Sequence, residues 1–353
     1  MSFLVGGHLP DEGIPVPSGD EWCRGMQGEQ QEKEEGTMFK DGFKVFDIHG
    51  HLPYAQQFVK HDEVIDGAQA ARGERMRLTW DFPSGPDTGP GAGRPLIDRW
   101  ADELDKYGIG GLNFLTARGN DDLKEQISKY PGKFTGFAHH SIEAPDAVEE
   151  LQRAVDELGL RGYKLFGPLI QTSLDDPSLR PVWSFLAERK LPVLIHFGLL
   201  GHTGGIVQHR NINPLAIFNV AREFTDIPIL IPHFGAGYYQ ELLHLCWGCP
   251  NVIVDTSGSN QWMRWAPYDL TLETLFRKTV ELIGPERVVY GSDSSGFPRG
   301  YVYRYLQDQV RVCRELRFRE TDIQSIFGNN ARRLLRLPDT AASVQEHKGV
   351  EVL

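Results

Sequence analysis

From residue 43 onward the chain alternates short apolar runs with amphipathic stretches. The runs are FKVFDIHG (43–50), GGLNFLT (110–116), FTGFAHH (134–140), RGYKLFG (161–167), PVLIHFG (192–198), PILIPHFG (228–235), NVIVDTSG (251–258) and RVVYGSD (287–293). Between them the spacing predicts helices over Leu96–Tyr107, Pro145–Leu158, Pro177–Lys190, Pro214–Phe224, Gly237–Trp247 and Tyr268–Ile283. In the second of these, Val148, Leu151, Val155 and Leu158 recur at helical intervals, and Pro145 with Asp146 suits a first turn. Strands that alternate with helices build βαβ units and a parallel sheet. Eight runs in that order predict an α/β fold of the (β/α)8 TIM-barrel type. An open doubly wound sheet fits the order less well, because no G-x-G-x-x-G follows the first strand and no phosphate-binding G-x-x-x-x-G-K-[ST] occurs.

Two stretches break the repeat. Residues 52–94 far exceed a loop of ~2–6 residues and include DFPSGPDTGPGAGRP, so a long insertion after the first strand is expected on the catalytic face, as a lid or an interface. Near the other end, TDIQSIFGNNARRLLRL reads as two short helices broken at Gly328, with Asn329 or Asn330 as cap. Residues 1–38 carry EQQEKEEG and no apolar face, which predicts a flexible N-terminal extension; 39–338 then form a single barrel domain and 339–353 a loose tail.

Composition narrows the function classes. A net charge of -11 argues against nucleic acid or an anionic membrane as partner, since both need a basic footprint. No apolar run is long enough to span a bilayer and the opening residues lack a secretory pattern, so the expected compartment is the cytoplasm and the expected partner a small-molecule substrate. Four cysteines do not make a disulfide framework; Cys246 and Cys249 form one C-x-x-C with no second pair, read as structural.

The chemistry lies at the strand ends. His49 and His51 form an H-x-H, a pattern that twelve histidines in 353 residues produce about 0.4 times by chance. Position gives the pair its weight, because residues two apart on a strand point to the same side and both rings can face the barrel mouth. His196, His233 and Asp293 likewise close the fifth, sixth and eighth runs, and the carboxyl ends of barrel strands converge on the catalytic face. Five such groups point to a divalent cation. Histidine and carboxylate donors without thiolate suit Zn2+ best, with Mn2+, Fe2+ and Ni2+ as alternatives.

The H-x-H strand, the K-L-x-x-P element around Lys164, LPVLIHFG, PHFGAG, NVIVDTSG and GSDSSGFP resemble the amidohydrolase-related branch of the amidohydrolase superfamily over residues 43–336. That branch contains metal-dependent hydrolases and also non-oxidative decarboxylases of the aminocarboxymuconate-semialdehyde type. The resemblance implies one metal ion on His49, His51, His196 and Asp293, with His233 as acid/base and Asp293 also moving protons. It implies a homodimer as well. Lys164 sits where some members carry a carboxylated lysine bridging two ions; it could equally pair with a substrate carboxylate or pack its stem in the barrel wall. His202 and Arg299 are further candidates for substrate contact, Arg299 through its bidentate fork. Of the tandem His139 and His140, strand alternation lets only one point inward. The leading expectation is hydrolysis of a carboxylate-bearing lactone, amide or related substrate by a metal-activated water. The alternative is metal-dependent loss of CO2 from an aromatic or unsaturated acid, and a third reading is an inactive barrel used for binding.

Overall fold

The computed structural model describes residues 43–53, 87–89, 91–198 and 210–338, together with Phe39, Gly67 and Ala71. The chain divides into two units, Met1–Gly42 and Phe43–Leu353, and the named strands and helices all belong to the second. The expected N-terminal extension, most of the 52–94 insertion and the tail beyond 338 lie outside the described residues.

Eight parallel strands follow in chain order: β1 Phe46–Gly50, β2 Gly111–Phe114, β3 Phe134–Gly136, β4 Tyr163–Phe166, β5 Val193–His196, β6 Ile229–Ile231, β7 Val252–Asp255 and β8 Val288–Val289. β1 to β3 form one ladder and β4 to β8 another. Two bridges join them, Ala138 with Tyr163 and Gly50 with Ser294, so the ring closes into a barrel. The seam between β1 and β8 is held by main-chain bonds from Ile48 to Tyr290 (3.1 Å) and from Asp293 to His49 (2.9 Å). Nearly every strand residue is buried, as expected where helices cover a parallel sheet. Leu194, Leu230, Ile253 and Val289 from neighbouring strands pack in one cluster with Phe46 and Ile48.

Between and after the strands, the described residues form helices α1 Leu96–Lys106, α2 Asn120–Ser128, α3 Ala147–Asp156, α4 Arg180–Arg189, α5 Phe218–Glu223, α6 Tyr239–Gly248, α7 Leu272–Ile283, α8 Tyr303–Glu315, α9 Glu320–Gln324 and α10 Asn330–Leu334, apart from the helical residues Gly67 and Ala71. All six expected helices are present, with ends trimmed by a few residues and short 3-10 turns opening α4 and α5. Two helices were not visible in the pattern. α2, NDDLKEQIS, buries only Asn120, Leu123 and Ile127, and α8 spaces its buried Leu306, Val310, Val312 and Cys313 among charged residues. The expected break at Gly328 is absent: a π turn, Ser325–Asn329, carries α9 straight into α10. A Cβ on Gly328 would stand 2.6 Å from Cζ of Phe43, so glycine is there for close approach and not to end a helix. Asn330 caps nothing; its amide donates to the carbonyls of Pro285 (2.7 Å) and Val288 (2.8 Å), tying the C-terminal helix to the barrel.

Candidate metal centre

β1 carries His49 and, one step past its end, His51. His49 Nδ1 donates to the buried carboxylate Oδ2 of Asp255, the last residue of β7, at 2.6 Å. His51 Nδ1 lies 2.8 Å from Oγ1 of Thr116, and that hydroxyl gives its own proton to the carbonyl of Leu52. Oγ1 is therefore an acceptor, and His51 Nδ1 carries the proton. Both rings are thereby fixed as the tautomer with a bare Nε2, and the two Nε2 atoms face each other at 3.1 Å. Two lone pairs at that separation repel. Ligands ~2.1 Å from a common cation stand about 3.0–3.4 Å apart, so the arrangement fits a bound divalent ion.

Asp293 completes the cluster, its Oδ1 3.5 Å from Nε2 of His49 and 3.2 Å from Nε2 of His51. Burial would raise its pKa, but the neighbouring imidazoles of His51, His233 and His49 outweigh it and hold the carboxyl well below the usual range. One donor atom each from His49, His233 and Asp293 lies within 4.8 Å of the other two. His196 is buried at the end of β5, its ring centroid 5.1 Å from that of His233. The structure thus brings together all five strand-end groups.

His233 and Asp293 share an unusual backbone. Their φ angles are 58° and 57°, in the left-handed region that non-glycine residues rarely adopt. Such strain costs about 1–3 kcal/mol and is tolerated where it aims a side chain. His233 is further pinned by its Nδ1, 3.0 Å from Oγ and 3.1 Å from the carbonyl of Ser257, which leaves Nε2 for other work. Gly258 runs beside both residues: a Cβ there would lie 3.2 Å from His233 Nδ1 and 3.4 Å from Asp293 Oδ2.

The supporting residues escaped the sequence reading. Asp255 accepts from His49 and from both the amide and the hydroxyl of Ser257. Burial pushes the Asp255 carboxyl up to about 7 and the His49 imidazole well below its usual value, so the pair shares one proton. Asp47 accepts from the amides of His49 (2.9 Å) and Ser292 (3.1 Å), linking the strands that bear His49 and Asp293. Asp255 could have been found by the rule that found the others, since it closes the seventh apolar run. Asp47 and Thr116 had no such signal.

Beside this centre a cavity of about 460 Å³ opens among the segments that follow β2, β3 and β4. Lys164 lines it, buried, and its Nζ has no hydrogen-bond partner among the described residues. Burial pushes the amine down to about 7, against a weaker pull from Asp293 and Asp255. His139 and His140 both line the cavity, contrary to the alternation argument, because β3 ends at Gly136 and the period of two no longer holds beyond it. Arg299 is turned to Tyr305, its Nη2 donating to the hydroxyl at 3.1 Å. His202 lies outside the described residues. Cys246 and Cys249 are both buried, and burial pushes the Cys246 thiol up to about 12, which suits packing rather than redox chemistry. No helix among the described residues is long and apolar enough to cross a membrane.

Residues 46–337 match the model of the amidohydrolase family. The gamma-resorcylate decarboxylase of Rhizobium sp. (strain MTP-10005) is 24% identical over 267 residues, which is 63% of this chain and 76% of that protein. The crystal structure of 5-carboxyvanillate decarboxylase from Sphingomonas paucimobilis has a TM-score of 0.55 at 18% identity, covering 84% of this chain and 100% of that one. A 5-carboxyvanillate decarboxylase from Novosphingobium aromaticivorans, solved with bound manganese, has a TM-score of 0.52 at 18% identity over 84% of this chain and 98% of its own. At those identities the structural likeness concerns the barrel.

Proposed function

The chain is an enzyme of the amidohydrolase family, and from that premise we propose that it removes CO2, without oxidation, from an aromatic or unsaturated acid at a single divalent cation. The observation that carries this reading is the likeness to gamma-resorcylate decarboxylase over most of the barrel, combined with His49, His51, His233 and Asp293 gathered at the strand ends and His196 next to His233. It reverses the order of the two reactions expected from the sequence, in which hydrolysis led. The binding-only reading falls, since family membership and intact donors speak together for catalysis.

His49, His51, His196 and Asp293 would hold the cation, with Zn2+ or Mn2+ suited to these nitrogen and oxygen donors. When bound, it would polarise a substrate oxygen and offset negative charge on the reacting acid. The protein's own share begins with the tautomers: Asp255 and Thr116 keep the protons of His49 and His51 on Nδ1. In the reaction the bond between carbon and carboxyl breaks, its electron pair stays on the substrate carbon, that carbon gains a proton, and CO2 leaves. His233 delivers the proton from Nε2, its other nitrogen being committed to Ser257. Asp293, kept ionised by the surrounding imidazoles, would offer the cation an anionic oxygen.

Carboxylic acids assayed for CO2 release, beside lactones and amides assayed for acid release, test the reaction. CO2 is the expected product; hydrolytic product alone would return the reading to a hydrolase. The division of roles is tested by metal content. His196→Ala should lose the ion, whereas His233→Ala should keep it and lose turnover by about 10²-fold or more; the reverse pattern would exchange the two roles.

A further inference from the structure

The cavity beside the metal centre carries a charge problem that points to its occupant. Lys164 is only 1% exposed, its Nζ makes no hydrogen bond within the described residues, and it lies over the face of Phe166, 4.4 Å from the ring centroid. A lysine kept for packing sends its ammonium to solvent or to a carboxylate. This one does neither. Asp255 and Asp293 are near enough to act on it, yet Asp255 is committed to His49, and Asp293 is turned to the Nε2 atoms of His49 and His51. A divalent ion in the neighbouring centre would add positive charge and worsen the balance unless an anion stands between them.

The charged side chains of the lining are two cations, Lys164 and Arg118, and one carboxylate, Glu143. Arg118 is exposed at the rim. The Glu143 carboxylate is held in place by the amides of Gln171 and Thr172 and by the Thr172 hydroxyl. In a chain of net charge -11 the lining thus keeps one positive charge in excess. His139 and Phe166, ring centroids 5.7 Å apart, supply flat aromatic walls, and about 460 Å³ falls within the ~300–1,000 Å³ of small-molecule sites.

We propose that Lys164 anchors a second carboxylate of the substrate, so that the acid processed at the metal is a planar dicarboxylate whose distal group pairs with Lys164 and is drawn in by Arg118. The inference rests on the reading of the metal centre as the reaction site, and its test does not depend on turnover. Calorimetry on manganese-loaded enzyme compares isophthalate with benzoate. An ionic hydrogen bond in a buried site should make isophthalate bind at least ~10-fold more tightly. In Lys164→Met that ratio should collapse to about twofold or less, with metal content retained and a melting temperature no lower than wild type, and Arg118→Ala should weaken isophthalate more than benzoate.

A wild-type ratio near one, or a ratio that survives Lys164→Met, overturns the proposal, as does a carbamate on Lys164 detected by native mass spectrometry. Should Lys164→Met fail to fold, the wild-type ratio and Arg118→Ala still decide. If the ratio holds while no acid releases CO2, the anchor stands and the decarboxylase reading falls.

Discussion

The replacement Asp255→Asn examines the metal centre through a residue that does not itself reach the ion. In the wild type, Oδ1 of Asp255 accepts the Ser257 amide at 2.8 Å, while Oδ2 accepts from His49 Nδ1 at 2.6 Å and from the Ser257 hydroxyl at 3.0 Å. Asparagine keeps the first bond with its carbonyl oxygen. That choice turns its NH2 group toward His49 Nδ1. A donor now faces a donor, and the conflict is relieved only if His49 moves its proton to Nε2, the atom that should bear the lone pair for the cation. The substitution is nearly isosteric, so the cost falls on metal binding rather than on packing. Loss of a carboxylate behind a ligating histidine costs about 10–100-fold in metal affinity, or about 1.4–2.7 kcal/mol. Competition with a chromophoric chelator, using zinc and then manganese, reads this directly, and a melting curve of the metal-free protein checks the fold. An affinity within about twofold of wild type would refute the assignment of Asp255 as the group that sets the His49 tautomer.

Further predictions follow from the same geometry. Gly258→Ala places a methyl beside His233 Nδ1 and Asp293 Oδ2 at a φ of +80°; turnover should fall about tenfold or more while metal content persists, and unchanged kcat would show that the glycine is not needed for spacing. Lys164 has a folded-state pKa lowered from 10.5 to about 7, so its contribution to stability is present above pH 10.5 and is lost as pH falls through about 7. Metal-free Lys164→Met should therefore gain stability over wild type as pH falls across that window, by up to a few kcal/mol, and parallel denaturation curves for the two proteins would contradict it. Cys246 and Cys249 should resist a thiol reagent in the native protein and react after unfolding, because both are buried and burial raises both thiols; rapid native labelling would restore a redox role to the C-x-x-C.

Much of the barrel was legible because its signals are local. Each strand is a run of two to five mostly apolar residues, and the candidate metal and acid/base groups sit at or just past its carboxyl end, where parallel strands converge. His49, His51, His196, His233 and Asp293 could be picked out on that rule alone, and so could Asp255. What the chain could not disclose was pairing at long range. That Asp255 would orient His49, 206 positions away, is settled only when β7 is brought beside β1. The same holds for Thr116 on His51, and for Asp47 joining the strands that carry His49 and Asp293. Local rules also fail where an element ends. Alternation could not govern His139 and His140 once β3 stopped at Gly136, and Gly328 is explained by Phe43 pressing against it rather than by helix termination. Period and composition are properties of neighbours in sequence, whereas tautomer, buried charge and close backbone approach belong to neighbours in space. The strand ends were therefore readable from the amino acids, while the isolation of the Lys164 amine required the closed barrel.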